Sequence, residues 1–339
     1  MSNVNAHKKF TASGDMEAEQ LLERVLSEMK EQLSGTGLSV YLGGSYGRGD
    51  GGVRLDRENG ILYNDLDFFV FARKKQDHAS SLLKEIAHKY ETELKVDVDF
   101  SRIMGVGDIK KNAKRLMMQE LKRGYHLVAG EDLLEQYLPE LPAEKVPFSE
   151  ACRLWLNRGM GLLLAWEKIT ENSADTDFIL RNINKAILGA GDAALVAERK
   201  YKWTIGERLE EINNSELSAD CKELYAKAVE FKKSPNRQMT QDLKELWFSA
   251  RNVFQECMEY GCSDSCAAIW LMCERDREVS LVNYIKYCIK SRSLPLWSWK
   301  YYTMPAVAVL ANEVFRMLDK EEPAPVSESK LYQQWLIFN

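Results

Sequence analysis

Two stretches of the chain place aspartates at every second position of otherwise apolar, β-favouring sequence: NDLDFFVF at 64–71 and LKVDVDF at 94–100. Successive side chains of a strand point to opposite faces. Leu66, Phe68 and Val70 therefore share one face of the first strand, and Asp65 and Asp67 the other. In the second, Leu94, Val96, Val98 and Phe100 share a face and leave Asp97 and Asp99 together. If the strands are neighbours, three or four carboxylates crowd one patch. Two such charges about 4 Å apart repel by about 4 kcal/mol at an effective dielectric of about 20. That is tolerable in open water, with raised pKa values, or around a cation. A hard divalent ion is the simplest resolution: magnesium takes one or two carboxylates and completes its octahedron with water and substrate phosphates. A solvated sheet face carrying unrelated acids is the plain alternative, and a single D-x-D does not exclude it.

Ahead of both stretches lies YLGGSYGRGDGG, 41–52. The spacing predicts a short strand over 38–42 that ends in Gly43-Gly44-Ser45. Glycines there let backbone amides and the serine hydroxyl approach anionic oxygens with no side chain in the way, a phosphate cradle. Arg48, one turn on, adds positive charge. Alone, GGS reads as an ordinary glycine turn. The order GGS, D-x-D, D-x-D on apolar strands is far more specific.

With these residues the chain resembles the DNA polymerase β-like nucleotidyltransferase superfamily, whose pattern is Gly-Gly or Gly-Ser, then D-x-D, then a third carboxylate on a later strand. The matching residues are Gly44, Ser45, Asp65, Asp67 and one of Asp97 or Asp99. GGSYGRG also resembles the corresponding segment of protein-PII uridylyltransferases. The resemblance covers roughly residues 35–105. It departs from the family in the long separation between Ser45 and Asp65, where DGGVRLDRENGILYN is expected to form an extra loop or hairpin over the site. DVDFSRI resembles the poly(A) polymerase pattern in a register that selects Asp97, with Asp99 the alternative. The resemblance implies an α/β (α+β) nucleotidyltransferase domain with a short mixed sheet, then an all-α domain forming the other wall of a cleft. It implies that Asp65 and Asp67 bind two Mg²⁺ ions, and that the third acid joins the ion activating the attacking hydroxyl and serves as its base. A nucleoside triphosphate, ATP first among them, is the implied donor. Family members often set a basic residue of the helical domain against the triphosphate. Lys185 and, four residues earlier on the same helix face, Arg181 are the candidates, against the reading of an ordinary solvated lysine.

The periodicity supports this organisation. Leu22, Val25, Leu26, Met29 and Leu33 predict a helix over 15–33 after a capping Ser-Gly-Asp, and Leu82, Leu83, Ile86, Ala87 and Tyr90 predict another. A buried strand is predicted over 66–72. From about residue 148 helical periods replace strands. LPELPAEKVP, 138–147, with three of the eight prolines, is the expected linker between a domain over 1–140 and a helical domain over 148–339. EEPAPVSESK, 321–330, reads as a loop before a short terminal helix.

Composition narrows the function classes. The formal net charge of −5 gives no global attraction for polyanions, so long nucleic acid is not favoured as a partner. Lys110, Lys111, Lys114, Arg115, Lys122 and Arg123 form a local basic run, read first as a solvated helix face. No stretch has the length and apolarity of a membrane span, and a cytoplasmic location is expected. The seven cysteines lack metal-site spacing and read as reduced, buried thiols. His7, His78, His88 and His126 all precede the helical half, which therefore cannot supply a Ser-His-Asp triad. Trp297, Trp299, Tyr301 and Tyr302 read as helix packing before base stacking. The expected activity is transfer of a nucleoside monophosphate from a nucleoside triphosphate to a hydroxyl-bearing small molecule or protein, releasing pyrophosphate. Two alternatives stand beside it: a non-catalytic nucleotide-sensing or partner-binding relative, and a transferase acting on RNA ends. The acceptor, the base and the oligomeric state are not legible in the sequence.

Overall fold

The computed structural model describes residues 9–54, 60–74, 79–233, 235, 242–263, 265–292 and 299–338. The chain is mixed α/β and divides into two compact units, Met1–Leu141 with Glu230–Asn236, and Pro142–Val229 with Arg237–Asn339.

The first unit opens with α1 (Met16–Gln32), whose first turn is capped by the Asp15 carboxylate accepting from Ala18 N–H at 3.0 Å. Leu22, Val25 and Met29 recur at helical spacing and are buried. There follow β1 (Leu38–Leu42), the single turn α2 (Gly44–Gly47), β2 (Leu66–Ala72), α3 (Ala79–Leu94), β3 (Val98–Phe100), β4 (Met104–Gly105), α4 (Val106–Lys111), α5 (Leu116–Arg123), β5 (His126–Ala129) and α6 (Leu133–Tyr137). The sheet order is β3-β2-β1-β5, with β4 also on β2. β1 is antiparallel to β2 and β5, whereas β3 and β4 run parallel to β2. This small mixed sheet is covered on both faces. Leu38, Val40, Leu42, Leu66, Phe68, Val70 and Val98 face the apolar stripes of α1 and α3. Tyr41, Phe71 and Met104 belong to the opposite layer, with Ile109, Leu121 and Leu133. Burial on both sides explains why β1 is LSVYL, with all five residues buried.

The strand expected over 94–100 is shorter than its alternation suggested. Leu94 is the last residue of α3 and is buried in the α1–α3 layer, and Lys95 takes φ 56° to turn the chain out of the helix. Only 98–100 pairs with β2. The segments α4 to α6 and strand β5 had no strong periodic signature, because each is too short to show one.

The second unit contains α7 (Phe148–Thr170), α8 (Thr176–Ala197), α9 (Ile205–Asn213), most of α10 (Ala219–Lys233), α11 (Leu243–Gly261), α12 (Cys266–Arg275), α13 (Leu281–Ser291), α14 (Trp299–Thr303), α15 (Ala306–Leu318) and α16 (Lys330–Phe338). Its core is α7 packed by α8, α11 and α15. Gly159 lets α7 approach its neighbours, since a β-carbon there would lie 2.3 Å from Val314. Trp247 donates from its indole to Leu162 O at 2.7 Å. Tyr301 and Tyr302 are buried and meet edge to face with centroids 5.0 Å apart, a packing role; Trp297 and the Trp299 side chain lie outside what is described. Among the described residues no helix is long and apolar enough to cross a membrane.

Candidate functional site

The acids meet through the parallel pairing of β2 and β3. Its register sets Leu66 opposite Val98, Asp67 opposite Asp99 and Phe68 opposite Phe100. Direct partners in a ladder share a face, so Asp67 and Asp99 lie side by side, while their apolar neighbours enter the α1–α3 layer. Asp65 and Asp97 precede the two strands with the same parity, and Leu66 N–H donates to Asp97 O at 2.9 Å. Asp65 and Asp67 are half-buried; Asp97 and Asp99 are exposed. The register thus favours Asp99 over Asp97 as the acid beside Asp67, and the reason is tertiary: α3 runs on to Leu94, so pairing begins only at Val98.

Although much of Asp99 reaches water, partial desolvation of its carboxyl, followed by the charges of Asp97, Asp65 and Glu91, holds it above the ordinary carboxylate range. Glu91, on α3, was not anticipated; it also accepts from Val98 N–H at 3.4 Å. Its only sequence signal was an acid one turn before the end of a helix that leads into the D-x-D.

The glycine turn is moulded to Asp67. Gly43 N–H donates to Asp67 O at 2.8 Å, bringing the end of β1 onto β2. Gly44 takes φ 60°, and a β-carbon there would lie 2.2 Å from an Asp67 carboxylate oxygen. At Gly43 the same addition would meet the Phe69 ring at 2.6 Å and Leu121 at 2.8 Å. Ser45 follows, half-buried, and its carbonyl accepts from Asp50 N–H at 2.9 Å. Arg48 turns elsewhere: its guanidinium lies 3.5 Å from Glu120 and 3.8 Å from Asp50, which Lys232 also approaches to 3.8 Å.

The long insertion between Ser45 and Asp65 pairs with itself. Arg54 N–H donates to Ile61 O at 2.8 Å and Tyr63 N–H to Gly52 O at 3.2 Å, with an antiparallel bridge between Val53 and Leu62. Residues 55–59, between the two arms, lie outside the described residues. Sequence reasoning passed over Tyr46 and Asn64, which tie this insertion to the turn. The Tyr46 hydroxyl donates to Gly52 O at 2.8 Å and accepts from Tyr63 and Asn64 N–H at 3.0 and 3.3 Å, while Asn64 Oδ1 accepts from Gly52 N–H at 2.8 Å.

The remaining candidates are placed as follows. Arg181 and Lys185 lie one turn apart on α8 of the second unit, the first half-buried and the second exposed. The basic run is not one helix face. Lys110 and Lys111 end α4, Lys114 and Arg115 lie in the turn after it, and Lys122 and Arg123 end α5, with Lys122 held by Glu135 and Leu134 O, and Arg123 donating to Leu141 O at 2.9 Å. Five cysteines are buried and two half-buried, all as free thiols. His126 packs tilted against Phe10 with ring centroids 4.2 Å apart and His88 is exposed; His7 and His78 lie outside the described residues. Among the described residues no three His, Cys, Asp or Glu side chains are grouped to hold a metal ion. The β2–β3 register leaves Asp67 and Asp99 as a pair on one face, and magnesium is a cation that asks for one or two carboxylates. No family model matches the chain, and no curated protein matches it.

Proposed function

We propose that the first unit is a nucleotidyltransferase unit of the DNA polymerase β-like type. It would transfer a nucleoside monophosphate from a nucleoside triphosphate to a hydroxyl-bearing small molecule or protein, with release of pyrophosphate. One observation carries the reading. Asp67 and Asp99 stand together on one face, beside a glycine turn whose Gly44 leaves room for nothing larger than hydrogen next to the Asp67 carboxylate.

Asp67 and Asp99 would hold magnesium, with water and phosphate completing its ligands; the two ions that the superfamily resemblance implies need a third acid grouped with them, and among the described residues none is. When bound, the metal neutralises phosphate charge and favours the ionised form of an attacking hydroxyl. The setting of Asp99 supports such a role: partial desolvation first, and then the charges of Asp97, Asp65 and Glu91, disfavour its ionised form, and a cation offsets both. Gly44 and Ser45 present backbone and a hydroxyl where phosphate oxygens would lie. The chain's contribution would be alignment and charge placement, with no covalent intermediate.

The test is pyrophosphate release from ATP, CTP, GTP and UTP, each with Mg²⁺ or with chelator, against a panel of hydroxyl-bearing small molecules and proteins. Release that requires Mg²⁺ and falls at least about a hundredfold in Asp67→Asn, with folding intact, is the expected result. Mg²⁺-dependent nucleotide binding with no release from any donor would replace transfer by nucleotide sensing. Absence of nucleotide binding would remove both.

A further inference from the structure

We propose that Tyr46 is a positioning residue for the acids of this site, its hydroxyl fastening the glycine turn to the backbone that delivers Asp65. The inference rests on the nucleotidyltransferase reading and deepens it. A buried phenol could serve simply as core, and the Tyr46 ring does fill the α1–α3 layer, fully buried, with Gly51 laid so close that a β-carbon would fall 2.0 Å from the ring. The hydroxyl does something else. A phenol has one hydrogen to donate and two lone pairs to offer. All three are used, and every partner is backbone of the insertion: Gly52 O, Tyr63 N–H and Asn64 N–H.

Those partners flank the catalytic candidates. Asn64 immediately precedes Asp65, and two residues after Asp65 the Asp67 carbonyl accepts from Gly43 N–H at 2.8 Å. Asp65 is therefore spanned by two anchors, and both lead back to the same turn, one through Gly43 and one through Tyr46. Asn64 Oδ1 closes the arrangement by taking the Gly52 N–H. A turn that holds phosphate and a strand entrance that holds acids must keep a set distance to share a metal ion. An error of about 1 Å in such a site costs on the order of a hundredfold in rate.

Tyr46→Phe keeps the ring and removes only the hydroxyl. Three measurements on the full chain test the proposal: amide hydrogen exchange at Tyr63 and Asn64, ATP affinity without Mg²⁺, and the Mg²⁺ concentration that half-saturates the ATP-dependent signal. The expected result is exchange at least about tenfold faster, Mg²⁺-free ATP affinity within about twofold, and a Mg²⁺ requirement raised about tenfold. Faster exchange with an unchanged Mg²⁺ requirement would make the hydroxyl purely structural and overturn the proposal while leaving the nucleotidyltransferase reading in place. Unchanged exchange would overturn it as well. Failure of the native chain to bind any of ATP, CTP, GTP or UTP with Mg²⁺ would overturn the reading on which it stands. Should Tyr46→Phe not fold, Asn64→Ala, which loosens the same tie by removing the Oδ1 that accepts from Gly52 N–H, is read by the same measurements, and an unchanged Mg²⁺ requirement overturns the proposal.

Discussion

Gly44 and Asp67 are fitted to each other: a β-carbon on the glycine would lie 2.2 Å from the aspartate's carboxylate oxygen, and the glycine already holds φ 60°. Both facts favour glycine at this position. Gly44→Ala is expected to cost about 2 kcal/mol of stability and to abolish Mg²⁺-dependent nucleotide binding. Gly35→Ala is the control. Its φ is 73° with nothing within 4 Å of the added carbon, so it carries the backbone cost alone, about 1 kcal/mol, and leaves binding unchanged. Chemical denaturation and nucleotide titration of the two variants separate strain from collision.

Asp99 carries a stability cost that depends on pH. Its folded carboxyl is raised, so in the window just above the ordinary carboxylate range the native chain binds more protons than the unfolded one. Stability contributed by this group is therefore lost as pH rises through that window. Asp99→Asn should raise the melting temperature by roughly 1–3 °C at pH 7, with the gain vanishing near pH 3, while weakening Mg²⁺-dependent nucleotide binding. Scanning calorimetry at the two pH values checks the sign. Equal loss of binding in Asp97→Asn would show that the β2–β3 register does not select the third acid.

In the second unit Glu167 behaves in the opposite sense. Burial pulls its carboxyl up, but hydrogen bonds from the Ser327 hydroxyl and from Ser327 and Val326 N–H outweigh that and leave it lowered. The stability it adds is present above the ordinary carboxylate pKa and disappears as pH falls through the lowered value. Glu167→Gln should melt a few degrees below the native chain at pH 7 and level with it in strong acid, with faster amide exchange at Val326 and Ser327.

Asp192 on α8 lies 2.9 Å from Arg208 Nε on α9 and accepts from the buried Tyr225 hydroxyl on α10 at 2.7 Å. Arg208 is itself buried and donates to Tyr201, Lys202 O and Trp203 O. Removing one partner leaves a buried charge uncompensated. Asp192→Ala is expected to cost about 3–5 kcal/mol, and Arg208→Met with Asp192→Leu together much less, as read by denaturant unfolding.

Local patterns were enough to locate β1, β2, α1 and the acid-bearing face, because the two-residue alternation of a strand and the 3.6-residue period of a helix are properties of a few neighbouring residues. The same patterns misled at 94–97. There the apolar alternation of LKVDV is equally consistent with Leu94 closing a helix, and burial in the α1–α3 layer decides.

What the sequence by itself determined is which residues are acidic, glycine or apolar, and on which side of a strand each must fall. Only the tertiary structure decided that β2 and β3 run parallel, that Asp99 stands beside Asp67, that Arg48 turns to Glu120, and that Tyr46 reaches 17 and 18 residues ahead to hold the approach to Asp65. The reason is physical. Face and period follow from local backbone geometry, whereas register, partner choice and the target of a buried hydroxyl are set by which distant segments the hydrophobic layers bring into contact.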